Sequence, residues 1–204
     1  MQVNVIKKDI LFWRIDVRTS YYFKLDMVEK SNIDKLIDNL LNKSKDEPMK
    51  YGEQLVRIGG SEIQEKLIHV LKNGDMDDAF LATKVLALMD NKQASLDALF
   101  EVIHLPANQN KNGGLVSLIE EFDIIDKFVD LFRIYLFGNF KSATLAKVHL
   151  DYAEFDITPR TLKKAEKHFN HFLNNASNGD DFELKKAEAA TILAELKEIL
   201  DEEE

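Results

Sequence analysis

The chain has 204 residues, 27 of them basic and 36 acidic, for a net charge of −9; 45% are hydrophobic, with 8 Gly, 3 Pro and no Cys. Such a length lets one domain bury about 70% of its unfolded surface without a covalent staple, and the lack of Cys excludes disulfides, thiolate nucleophiles and Cys-ligated metal. The acidic surplus argues against a general nucleic-acid binder, whose phosphate contacts need surplus Lys and Arg.

The N-terminal segment, residues 1–26, is rich in Ile, Val, Phe, Tyr and Trp and leans toward strand. It holds five basic and three acidic residues, net +2, so the remaining 178 residues carry −11. Met27 directly precedes the first clear helix pattern, which makes residues 1–26 an extension, with Met27 as an alternative start; a genuine N-terminal element docked on the first helices is the competing reading. From Met27 to Glu204 the expectation is a single helical-repeat domain.

Ile33, Leu36, Ile37, Leu40 and Leu41 form an i, i+3, i+4, i+7, i+8 stripe, one face of a helix, with Ser31 as its cap. A second helix starts at Pro48, where a missing N–H costs nothing, and stops at Gly59-Gly60. Ser61 to Gln64 has capping-box spacing, and the third helix runs to Asn73-Gly74 with Ile63, Leu67, Val70 and Leu71 inward. A fourth is expected over 76–89 and a fifth over 92–104. Residues 104–114 have no periodicity and read as the longest loop, beyond the usual 2–8 residues of helix–helix connections.

Charges at Asp123, Asp126, Lys127, Asp130 and Arg133 leave a narrow polar stripe on a largely buried helix over 122–137, stopped by Gly138-Asn139. Its five charges in sixteen residues exclude a membrane span, which needs about 20 apolar residues. Near the N-terminus the longest unbroken apolar run is Ile10 to Trp13, too short for a secretory signal. The compartment expected is the cytoplasm. Residues 142–155 are mostly helical in pattern, and Thr158-Pro159 is a strong start signal for a helix carrying Leu162, Ala165, Phe169, Phe172, Leu173 and Ala176. The last helix follows Asn178-Gly179, with Phe182, Ala189, Leu193, Leu196 and Leu200 inward, and ends in the acidic tail 201–204, which opposes the macrodipole.

Two helix pairs look alike. A shift of thirty residues aligns Gly52 with Ala82, Leu55 with Val85, Val56 with Leu86 and Ile58 with Leu88; a shift of twenty-nine aligns Leu67 with Leu96, Val70 with Leu99 and Leu71 with Phe100. A helix hairpin repeated at about thirty residues is a stacking unit. The run Ala82 to Asp90 followed by Leu96 to Ile103 resembles HEAT-type α-solenoid repeats, especially the short kind found in bilin lyases, over residues 48–104. It departs from longer family members in having no Pro inside the first helix and no basic anchor in the second. The resemblance implies an all-α fold, an α-α superhelix of stacked antiparallel helix pairs, and families of this architecture include interaction scaffolds, bilin lyases and DNA glycosylases.

Candidate chemistry is sparse. Arg160, Lys163, Lys164, Lys167 and His171 share one helical face, a docking stripe for an acidic surface, phosphate or nucleic acid, or a solvated face of an acidic protein. His168 and His171 have a spacing that can present two imidazoles to a metal, but no third ligand is evident; His69, His104 and His149 stand singly. Carboxylate pairs such as Asp77-Asp78 arise by chance among 36 acids, and acid–base work needs two carboxyls in different environments. Gly113-Gly114 lacks the strand and third Gly of a phosphate loop. No catalytic residue, metal or cofactor is expected. The function expected is a non-catalytic helical-repeat scaffold that binds a protein or peptide partner through Arg160, Lys163, Lys164 and Lys167; the alternative is a HEAT-like lyase or nucleic-acid repair factor. Nucleic acid and membrane are not expected partners.

Overall fold

Helix starts in this chain solve a local donor problem, because the first N–H groups of a helix have no partner within it. Asp75 accepts from the N–H groups of Asp77 and Asp78 at 2.9 and 3.0 Å, Asn139 from that of Ser142 at 3.1 Å, and Thr158 from that of Thr161 at 3.2 Å with Pro159 opening the helix behind it. The computed structural model describes residues 32–175 and 181–202, and the regular elements among them are helical, without a strand. They are α1 (32–41), α2 (Met49–Ile58), α3 (Ser61–Asn73), α4 (Met76–Leu86), α5 (Gln93–Ile103), α6 (Gly113–Val116), α7 (Phe128–Phe137), α8 (Phe140–Tyr152), α9 (Pro159–Asn175) and α10 (Phe182–Glu202). The all-α fold expected from the periodicity is therefore the fold found. The strand-leaning segment 1–26, the Ser31 cap, Ala176 and the Asn178-Gly179 stop lie outside the described residues.

Two compact units divide the chain, residues 1–63 and 64–204. In the first, α1 buries Ile33, Leu36, Ile37 and Leu40, four of the five residues of the predicted stripe, with Leu41 half-buried at its end, and α2 buries Gly52 and Leu55. The turn after α2 has φ +68° at Gly59 and +94° at Gly60, a left-handed backbone that glycine adopts without a Cβ clash. The Gly59 N–H closes the helix on the Leu55 carbonyl at 2.9 Å.

In the second unit consecutive helices pack as pairs, α4 on α5, α7 on α8 and α9 on α10. Alternate helices also touch: α4 meets α6, α6 meets α8, and α7 meets α9. That alternation is the signature of stacked hairpins, each bound to its neighbours. Side-chain hydrogen bonds repeat the rhythm, joining residues 29 to 31 positions apart: Gln64 to Ser95, Lys72 to Glu101, Lys92 to the Glu121 carbonyl, Lys127 to Asp97 and Ser142 to Asn112. The thirty-residue shift seen between the first two hairpins continues into the later ones, where sequence identity no longer displays it.

Two expectations are corrected. The helix predicted over 122–137 begins at Phe128, because Phe122 is extended and the Asp123 carboxylate takes the Ile125 N–H at 3.1 Å, a local bond that competes with helix formation. What remains as α7 is buried at Phe128, Leu131, Phe132, Ile134, Tyr135 and Leu136. The segment 104–114 is not without structure. It makes a 3-10 turn at Pro106–Asn108 and enters α6 at Gly113, and two buried asparagines lock it. Asn108 donates to the Val102 carbonyl and Asn112 to the Ile103 carbonyl, each at 2.9 Å, so the open end of α5 is capped by side chains from the loop itself. No described helix is long and apolar enough to cross a membrane.

Candidate ligand site

The capped end of α5 forms one wall of a cavity of about 500 Å³. His104, Leu105, Pro106 and Gln109 come from the loop, Arg133, Ile134, Phe137 and Gly138 from α7 and its end, and Lys167, His168 and His171 from α9. Positions 133, 134 and 137 and positions 167, 168 and 171 each follow an i, i+1, i+4 pattern, which places three side chains on one helical face. Because α7 and α9 pack against each other, the two faces become walls of the same space.

The walls are held from behind. Asn112 Oδ1 accepts from Ser142 Oγ at 2.7 Å and from Asn139 Nδ2 at 3.2 Å, while Asn139 Nδ2 also donates to the Gln109 carbonyl at 2.8 Å. Gln109 Nε2 donates to the Phe137 carbonyl. Gly138 closes α7 where a Cβ would stand 2.5 Å from the Ile134 carbonyl oxygen, so no other residue fits that corner without moving backbone. Phe137 supports the α9 wall, with ring centroids 5.6 Å from His171 and 5.9 Å from Phe172.

The charges of the site are unusual for an acidic chain. Arg133 is half-buried and, among the described residues, makes no hydrogen bond or ion pair. His104 Nε2 is buried 3.3 Å from Asp130 Oδ1, an ion-pair distance without hydrogen-bond alignment. Burial pushes the Asp130 carboxyl up, but His104, Lys127 and Arg133 nearby outweigh it and hold the group below the usual carboxylate range. His168 is held below the ordinary imidazole range, first by burial and then by Arg133 and His104, with Asp130 pulling the other way. A second cavity of about 390 Å³ shares the Gln109–Gly138 wall, but its charged lining residues, Asp181 and Lys185, bond each other at 2.9 Å.

Of the four cations expected to bind a partner, Lys167 lines the larger cavity, while Arg160, Lys163 and Lys164 lie outside its lining. All four are exposed on α9, and none makes an ion pair with a described residue. His168 and His171 do share a site, but with Arg133 and Lys167 rather than with further ligands; among the described residues no group of three or more His, Cys, Asp or Glu is gathered for a metal ion. The sequence reading missed His104 and Arg133. His104 stands alone in the sequence and Arg133 reads as one charge of a polar stripe. Extending the thirty-residue shift past residue 104 would have brought 104 and 133 into register. Comparison with family models, characterised proteins and solved structures gives no match.

Proposed function

We propose that the chain is a non-catalytic, HEAT-like helical-repeat module, and that the basic face of α9 docks an acidic segment of a protein partner. The stacked hairpins support the repeat resemblance, since such stacks present extended surfaces across several units. The observation that carries the docking is the set of exposed, unpaired cations Arg160, Lys163, Lys164 and Lys167 on one helix of a chain with net charge −9. Some other cations on the described surface bond nearby carboxylates, as Lys147 does Asp151, Lys185 Asp181 and Lys186 Glu183; what sets the α9 cations apart is that four of them share one helix. Four cations left without partners form a local positive field that steers an acidic chain at low salt. A cytoplasmic setting belongs to this proposal, and cell fractionation tests it.

The binding test uses a fluorescent Glu/Asp-rich peptide. The wild-type chain should bind it, and binding should weaken between about 50 and 200 mM salt. Replacing Arg160, Lys163, Lys164 and Lys167 by Glu should abolish it. Equal binding by the replaced chain would reduce the face to a solvated surface. Preference for a duplex oligonucleotide over the peptide would favour a nucleic-acid partner instead.

A further inference from the structure

We infer that the cavity between α5, α7 and α9 binds a small organic monocarboxylate, its headgroup taken by Arg133 and Lys167 and its apolar body lying on Leu105, Ile134 and Phe137. This site is separate from the peptide-docking face, with which it shares Lys167 alone.

Three observations converge on it. First, Arg133 is half-buried in the cavity wall and makes no hydrogen bond or ion pair with a described residue, so its N–H donors are open to an acceptor that enters the space. The Asp130 carboxylate, one helical turn away on α7, is within ion-pair distance of His104. Second, the space fits a small molecule: about 500 Å³ falls within the roughly 300–1,000 Å³ of ligand sites, which combine apolar walls with a few placed polar groups. Third, the charge balance selects the headgroup. The charged and titratable groups around the space are Arg133 and Asp130 on α7, His104 on the loop, and Lys167, His168 and His171 on α9. Arg133 and Lys167 set two permanent cations against the one carboxylate, Asp130. That surplus of positive charge favours an anionic headgroup. Arg133 matches a carboxylate in shape as well, because a guanidinium presents paired N–H groups to two oxygens.

The test is calorimetric titration of the full chain at pH 7 and low salt with phenylacetate, phenyl phosphate and 2-phenylethanol. Phenylacetate should bind, and the uncharged alcohol should bind at least tenfold more weakly. Arg133→Met and Lys167→Met should each weaken phenylacetate by roughly tenfold or more, and the exposed Lys167 site keeps the test decisive even where the Arg133 variant fails to fold. Replacing Arg160, Lys163 and Lys164 by Glu should leave phenylacetate binding in place while removing the acidic peptide, which separates this site from the docking face. Equal affinity for the alcohol, no binding of phenylacetate, or unchanged binding by the Lys167 variant would overturn the assignment. Tighter binding of phenyl phosphate at pH 7 would overturn the choice of carboxylate.

Discussion

Asn112 shows how much one polar side chain can organise. It is buried, and its amide donates to the end of α5 while its oxygen accepts from Ser142 and Asn139 near the start of α8. Two of the three bonds serve groups that would otherwise be orphaned, the Ile103 carbonyl and the hydroxyl of Ser142, which is fully buried. Asn112→Leu keeps the volume but strands those partners, and chemical denaturation should show a loss of about 2–4 kcal/mol; a loss below about 1 kcal/mol would mean water replaces the amide. The half-buried His149 and His168 make a second prediction at this scale. Burial holds His149 and His168 below 6.5 in the folded chain, so the unfolded chain binds protons first as pH falls. Their contribution is intact above about pH 6.5 and is lost as pH drops through the lowered folded values. Asp130 and Asp181, held below 3.8, lose theirs only in stronger acid. The melting temperature should therefore fall between pH 7 and pH 5, and His149→Gln with His168→Gln should flatten that fall. An unchanged slope in the double variant would assign the acid sensitivity elsewhere.

At the scale of the element, what the sequence displayed was local. The stop at Gly59-Gly60, the start at Thr158-Pro159 and the apolar stripe of α1 all depend on residues within a turn or two of one another, and all are where the spacing put them. What it hid was non-local. The 104–114 loop has no period because asparagine bonds to α5 and α8 hold it rather than a stripe, and the start of α7 was displaced by a single aspartate turn at Asp123. The cavity was hidden for the same reason: its lining comes from three segments about thirty residues apart. The face of α9 was legible, since i, i+3, i+4, i+7 spacing is a property of the helix itself. Because Arg160, Lys163, Lys164 and Lys167 are exposed while α9 is anchored by buried Ala165 and Phe172, their fourfold replacement by Glu should keep the melting temperature within a few degrees of wild type. Glu and Lys have similar helix propensities. Failure to fold would show that those side chains pack against the protein and would move the docking face elsewhere.

Across the second unit, one spacing recurs in several kinds of interaction. Hydrogen bonds, an ion pair and the cavity walls all connect positions about thirty residues apart, so stacking brings together side chains that the sequence keeps distant. The stack sets four exposed cations without ion pairs on one helix, α9, while the chain as a whole carries −9. Function in this reading follows from where charge is left uncompensated rather than from a reactive constellation. The most direct measurement is a residue-resolved NMR titration of the full chain with the Glu/Asp-rich peptide at low salt. The account predicts that amide shifts move along α9 from Arg160 to Lys167, fade as salt rises, and leave α4 and α5 unchanged. Shifts centred on another helix, or none along α9 while the peptide binds, would contradict it.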